Sequence, residues 1–213
     1  MIVEKVPFAF ILSREKVRKI IVNCKNGAKK GARGRDYDSA LNWLSASEMV
    51  LQCNSVEAPK MPLKGYLDAG VFKLFLNDPG LLGNLADIRY PDIMLNKAFE
   101  YKGMLTESYV AGQLAATGIP LHYWRDEKNN EVGFLIQTDD CVIPVECKSG
   151  TNKVSASLKR YQEKFRPPWV IRLMGNNFGF VNNVKTIPLY AAFAVAELTR
   201  PSLELPDLTG QRW

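Results

Sequence analysis

The stretch EVGFLIQTDDCVIPVECKSG, residues 131–150, decides the fold because it predicts two β-strands joined by an acidic turn. Apolar residues dominate both runs, and residues 138–140 between them favour a turn. The second strand holds Glu146 and Lys148 two residues apart, so strand alternation places both on one face. The first strand holds Gly133, a residue that weakens a strand interior. We interpret the charged face of this hairpin as a candidate site.

Strand alternation divides the residues of each hairpin strand between two opposite faces, one of which is apolar. The opposite face contains Glu131 and Gly133 on the first strand, and Glu146 and Lys148 on the second. We expect these four positions to lie near one another. On the first strand the apolar face is then Val132, Phe134 and Ile136.

Carboxylates gathered in this way bind a hard divalent cation such as Mg²⁺. A lysine beside them can activate a water molecule or stabilise charge on a phosphate. Glu107, on the predicted helix before the hairpin, is a further candidate ligand. The alternative is a solvated ion pair between Glu146 and Lys148, which contributes little to stability.

Helices and strands alternate around the hairpin. In chain order we predict a helix at 103–118, a strand at 121–125, the two hairpin strands, a helix at 155–165, a strand at 169–174 and a helix at 190–198. A helix that connects two strands of one sheet favours a parallel pair. The predicted fold class is therefore α/β (α+β) with a mixed sheet.

The N-terminal part carries a concentrated positive charge. Residues 14–35 contain nine basic side chains against Glu15 alone, a net charge of +8 in a chain whose total is +6. Such a block predicts contact with a polyanion such as nucleic acid, or alternatively a solvated face or a loop that pairs with an acidic partner. The candidate nucleic-acid-binding residues are Lys29, Lys30, Arg33 and Arg35.

The order of elements in this N-terminal part is typical of a winged-helix domain. A helix at 14–23, a basic loop at 26–35, a helix at 36–46 and strands at 48–53 and 70–78 are predicted. We therefore divide the chain into a winged-helix-like domain at 1–78, a connector at 79–102, a second domain at 103–200 and a C-terminal tail at 201–213.

Composition excludes several classes of protein. No stretch approaches the roughly 18 consecutive apolar residues of a transmembrane helix, and the N-terminus lacks a cleavage pattern, so neither a membrane partner nor a signal peptide is expected. The four cysteines lack metal-ligand spacing and His122 is the only histidine, which argues against a zinc site. Reduced thiols suggest a cytoplasmic protein.

The hairpin and the helix before it resemble the restriction-endonuclease-like fold with its PD-(D/E)XK signature. Glu107 matches the acidic residue of the helix, and Glu146-Cys147-Lys148 matches the E-x-K motif. The resemblance assigns a catalytic role to Glu107, Glu146 and Lys148, with Glu107 and Glu146 as metal ligands. Gln162, on the following helix, is a weaker candidate. Gly133 departs from the pattern, because it stands where the family has an aspartate.

A longer resemblance runs from about residue 31 to residue 196. The phrases GARGRDYDSALNWL, PLKGYLDAGVFKLFLNDPGLL, YKGMLTESYVAGQL, YWRDEKNNEVGFLI and IPVECKSG are similar to the C-terminal region of a prokaryotic ATPase family of the AAA+ superfamily. That region consists of a winged helix and a nuclease-like domain of unknown function. The chain contains no P-loop motif, so we expect no ATP binding by this chain.

These patterns together favour an accessory module of an ATPase-family protein over an enzyme. We expect it to bind nucleic acid or a protein partner, with the nuclease site inactive because Gly133 supplies no carboxylate. The alternatives are a Mg²⁺-dependent nuclease acting on DNA or RNA, and a pure protein-docking module. Mg²⁺ is the expected cofactor only if the site is active.

Overall fold

The computed structural model describes residues 38–85, 88–94, 102–128, 130–149 and 155–199. These ranges contain α-helices, β-strands and two 3₁₀ helices. The α-helices are α1 (Asp38–Ala46), α2 (Pro79–Leu85), α3 (Tyr90–Met94), α4 (Lys102–Ala116), α5 (Ala156–Phe165) and α6 (Val195–Thr199). The strands are β1 (Val50–Val56), β2 (Leu67–Leu76), β3 (His122–Arg125), β4 (Glu131–Gln137), β5 (Val142–Cys147), β6 (Val170–Met174), β7 (Gly179–Val181) and β8 (Val184–Pro188). The 3₁₀ helices are Leu63–Tyr66 and Leu189–Ala194.

All these strands form one mixed sheet in the order β2-β1-β3-β4-β5-β6-β8-β7. Strands β3, β4 and β5 are antiparallel neighbours, whereas β5 and β6 are parallel and connected through α5. The predicted parallel pair across a helix is thus confirmed, and so is the α+β class. The candidate hairpin occupies the middle of the sheet.

Helices cover both faces of the sheet. One apolar cluster joins the central strands to α4 and to the C-terminal 3₁₀ helix, through residues such as Val110, Val145 and Ala192. A second cluster joins the opposite face to α5, through residues such as Val142 and Leu158. We call these the α4 face and the α5 face. Each side chain of a central strand therefore points towards either the α4 face or the α5 face.

The sheet contains strands from both sides of the predicted connector at 79–102. Strands β1 and β2, which fall in the predicted N-terminal domain, lie in the same sheet as β3, because β1 pairs in parallel with β3. This pairing covers the backbone groups on the β1 side of β3. The winged-helix interpretation stays a prediction, since residues 14–35 lie outside the described residues, as does the tail at 201–213.

Two strands near the C-terminus were not predicted. β7 and β8 form a hairpin whose two turn residues, Asn182 and Asn183, have φ angles of 51° and 60°. Paired left-handed residues of this kind form the turn that best fits the twist of a hairpin, and asparagine tolerates them well. The helix predicted at 190–198 is a 3₁₀ helix, Leu189–Ala194, followed by α6. Within the described ranges, no helix is long and apolar enough to cross a membrane.

Candidate functional site

The charged side chains of the central strands form two clusters on opposite faces of the sheet. The Lys73 cluster, on the α4 face, consists of Lys73, Glu107 and Glu131. The Glu146 cluster, on the α5 face, consists of Glu146, Lys148 and Arg172. The predicted site residues are therefore divided between two layers of the molecule.

Lys73 is the centre of the first cluster and is only 1% exposed. Its ammonium donates a hydrogen bond to Glu131 Oε1, and it lies 4.0 Å from Glu107 Oε2. The Tyr123 ring lies beneath it, with 4.7 Å from Nζ to the ring centroid. Burying an ammonium is costly unless carboxylates and aromatic rings compensate for the lost water. The cluster supplies both kinds of compensation.

Three elements bring this cluster together. Lys73 lies opposite Cys53 in the β1–β2 pair and leaves the sheet on the α4 face, as Phe75 does. Glu107 comes from α4, which covers that face, and Glu131 is the first residue of β4. The cluster therefore connects residues that are distant in the sequence.

The cluster shifts the pKa values of its members in a coupled way. Burial disfavours the charge on Lys73, but the carboxylates of Glu107 and Glu131 outweigh this effect and raise its pKa. Burial raises the pKa of Glu107, and Glu131 raises it further, although Lys73 and Lys148 oppose the shift. The Lys73 ammonium thus forms ion pairs with two carboxylates. It compensates the buried negative charge of Glu107 less completely than that of Glu131, because it lies farther from Glu107.

A β-bulge explains why Glu131 lies on the α4 face. His122 pairs with Leu135 and Trp124 pairs with Val132, so β4 contains one more residue than β3 in this interval. Val132 therefore packs with Leu135 on the α5 face. The predicted apolar face of Val132, Phe134 and Ile136 is wrong, because the bulge places Val132 on the α5 face while Phe134 and Ile136 lie on the α4 face.

Glu146 lies on the α5 face because it alternates with Val145 and Cys147, which pack into the α4-face cluster. Its side chain is 8% exposed and lies 3.6 Å from Lys148 Nζ and 3.9 Å from Arg172 Nε. Arg172 is its direct neighbour on β6. The ion pair between Glu146 and Lys148, which we stated as a solvated alternative, is present, but its Glu146 is buried, and Arg172 is a second cation that we did not predict.

Gly133 lies at the bulge, beyond the last β4–β5 pair, Phe134 with Val145. A Cβ atom at this position would meet only the Val145 carbonyl oxygen, at an ordinary contact distance of 3.9 Å. In the described part of the chain, the glycine with a left-handed φ is Gly118. Neither backbone conformation nor close packing therefore requires a glycine at position 133.

The structure does not bring the two predicted metal ligands, Glu107 and Glu146, together. In the described ranges, no three His, Cys, Asp or Glu side chains lie close enough together to hold one. Glu107 faces the ammonium of Lys73, whereas Glu146 lies on the other side of the sheet beside Lys148. Joint ligation of a metal by Glu107 and Glu146 has no support in this geometry, because the sheet separates them.

Gln162, a further candidate that the structure describes, belongs to neither cluster. Gln162 is on α5, where its backbone carbonyl accepts a hydrogen bond from Arg166. His122 is buried on β3, and burial lowers its pKa so that the neutral form is favoured. The predicted nucleic-acid-binding residues lie outside the described residues; they are Lys29, Lys30, Arg33 and Arg35.

Sequence reasoning missed Lys73, although the strand around it carried a signal. In the run GVFKLFL, residues 70–76, Lys73 is the one charged residue in a segment that is apolar on both faces. A fully covered strand tolerates a lysine only when the fold supplies a partner for it. The pattern could have identified a buried ion pair, but not which carboxylates complete it.

We expect replacement of Lys73 by Met to destabilise the protein by about 3 kcal/mol, the lower end of the range for breaking a buried ion pair, because both carboxylates retain some solvent contact. Urea unfolding at pH 7 measures this. Lys148→Met is the matched control and is expected to cost less than the Lys73 change, since Lys148 is 42% exposed and Arg172 remains beside Glu146 after its loss. Equal effects of the two changes would contradict the central role of Lys73.

Replacement of Glu107 by Gln should remove a pH-dependent contribution to stability. Because burial raises the folded-state pKa of Glu107, its contribution is fully present below the ordinary value of 4.5 and declines as pH rises through the folded-state pKa. The stability of the wild type relative to Glu107→Gln should therefore fall as pH rises above 4.5. Urea unfolding at several pH values tests this, and a constant difference would contradict it.

Two models of protein families match the chain. A domain of unknown function, DUF8612, matches residues 12–92, and another, DUF4143, matches residues 102–192. No curated protein and no solved structure matches the chain. Strands β1 and β2 lie in the first matched segment and β3 to β8 in the second, so both segments contribute strands to the same sheet.

Proposed function

We propose that this chain is a non-catalytic accessory module, built on a nuclease-like sheet, that binds nucleic acid. The observation that carries the proposal is the position of the Lys73 ammonium between Glu107 and Glu131. A cation supplied by the chain itself takes the place that a metal ion would need beside these carboxylates. Glu146 is likewise beside Lys148 and Arg172.

The charge of the chain supports a polyanionic ligand. Residues 14–35 carry a net charge of +8, so the remaining residues together carry a small negative charge. Nucleic-acid binding without sequence readout draws most of its free energy from counterions that lysine and arginine release from phosphates. In the proposal, the basic segment provides this binding and the sheet provides a rigid support.

The resemblance to the C-terminal region of AAA+ ATPases suggests where such a module acts. We propose that it serves as the nucleic-acid-binding part of an assembly whose ATPase activity lies in another domain or chain. A protein-docking function is the second candidate, because α3 presents Tyr90, Ile93 and Met94 to solvent beside a groove of about 540 Å³. Exposed apolar side chains of this kind favour contact with another protein.

Cleavage assays test the non-catalytic part of the proposal. With Mg²⁺ or Mn²⁺, we expect no cleavage of single- or double-stranded DNA or RNA. Gly133→Asp should also be inactive, because the added carboxylate leaves Glu107 beside Lys73. Wild-type cleavage that Lys148→Ala abolishes would overturn the proposal and establish the nuclease alternative. Cleavage by Gly133→Asp alone would assign the inactivity to the missing aspartate instead of to Lys73.

Binding titrations test the nucleic-acid part. Changing Lys29, Lys30, Arg33 and Arg35 to Gln should weaken DNA binding at least about tenfold at 0.1 M salt and lower the salt dependence of log K, by about 0.9 for each phosphate that the variant no longer neutralises. Fluorescence anisotropy with a labelled duplex measures both. The matched control removes four exposed lysines in the described part of the chain, namely Lys60, Lys64, Lys128 and Lys159. Equal losses of affinity in the two variants would show that DNA binding depends on net charge alone. That result would contradict a specific role of the basic segment in binding.

A further inference from the structure

Within the described ranges, the last strand of the sheet, β7, has no partner strand on one edge. β7 pairs with β8 on one side and is the terminal strand of the sheet on the other. Phe178, Phe180 and Val181 in and beside this strand are 62%, 61% and 69% exposed. An exposed strand edge presents backbone groups that can pair with another strand.

The turn of the hairpin determines which backbone groups point outward. In a two-residue hairpin, the residues that flank the turn, here Val181 and Val184, form the hydrogen-bonded pair. Hydrogen-bonding direction alternates along a strand, so Gly179 also points towards β8. The N–H and C=O of Phe180 therefore point towards the free edge, where they can donate and accept hydrogen bonds with a further strand.

This edge lacks the features that usually prevent strand pairing. Natural edge strands are protected by charged side chains, prolines or bulges. The run GNNFGFVNNV, residues 175–184, contains no charged residue and no proline, and the β7–β8 register is continuous. An uncharged edge meets no like-charge repulsion from an identical edge.

The Phe180 ring is held from one side. Phe180 lies opposite Lys185 on β8, and the Lys185 ammonium lies 6.0 Å from the Phe180 ring centroid and 3.7 Å from that of Trp169. A ring positioned in this way loses little conformational freedom when a second surface covers it. Aromatic pairs directly across two antiparallel strands are among the favourable ones.

We propose that β7 pairs antiparallel with β7 of a second copy of this chain, with Phe180 on the two-fold axis. In this register Phe180 exchanges both backbone hydrogen bonds with its own counterpart, and the two rings lie side by side on one face. The arrangement is self-complementary, as a two-fold interface requires. The two Lys185 residues would be about 14 Å apart, three strand spacings, which exceeds the screening length of about 8 Å at physiological salt.

Sedimentation equilibrium of the full chain tests this proposal. The variants replace Phe180, which lies on the proposed two-fold axis, by a positively or a negatively charged residue. The wild-type mass should rise with concentration from 24.0 kDa towards twice that value. Phe180→Lys and Phe180→Glu should each remain at the monomer mass, because each places like charges opposite one another. An equimolar mixture of the two should associate again, since Lys then lies opposite Glu. Circular dichroism verifies that each variant is folded.

Val181→Lys is the matched control. It adds the same charge one residue away, opposite Gly179 of the second copy in the proposed register, so association should persist. A wild type that remains monomeric would overturn the proposal. Association of Phe180→Lys alone, or failure of the folded variants to associate when mixed, would also overturn it, because the interface would then not have Phe180 on its axis.

Discussion

The buried ammonium of Lys73 is the constraint on which the described structure depends. It lies on β2, and the carboxylates that compensate it come from α4 and β4. An ammonium that loses water must keep its partners within a few ångströms, so these three elements cannot move independently. The same interaction determines the chemistry of the α4 face, since the carboxylates there already have a cation.

The Glu146 cluster shows a related solution on the other face. There a carboxylate in a central strand is compensated by Lys148 along the strand and Arg172 across it. Each face therefore combines acids with bases supplied by the chain, and the sheet between them keeps the two sets apart. The carboxylates of both clusters thus have ion-pair partners from the chain itself and serve the structure.

Much of the fold followed from short-range patterns. The hairpin at 131–147, the helices before and after it and the parallel β5–β6 pair could be predicted, because periodicity and connection rules act locally. The bulge in β4 could not, since it depends on how β3 packs beside it. For the same reason the sequence placed Glu131 beside Glu146, whereas the structure pairs it with Lys73 from a segment 58 residues earlier. The β7–β8 hairpin was missed because its strands are short, with three and five residues, and because asparagines flank β7 on both sides.

The parallel pairing of β1 with β3 has a consequence for the way in which this chain can be divided. A cut within residues 93–101 separates the two matched segments but also removes the strand that covers one edge of β3. The same cut leaves Glu107 and Glu131 in one fragment and Lys73 in the other. The boundary between the two matched segments therefore runs through a single sheet, and neither segment alone contains all the strands of that sheet.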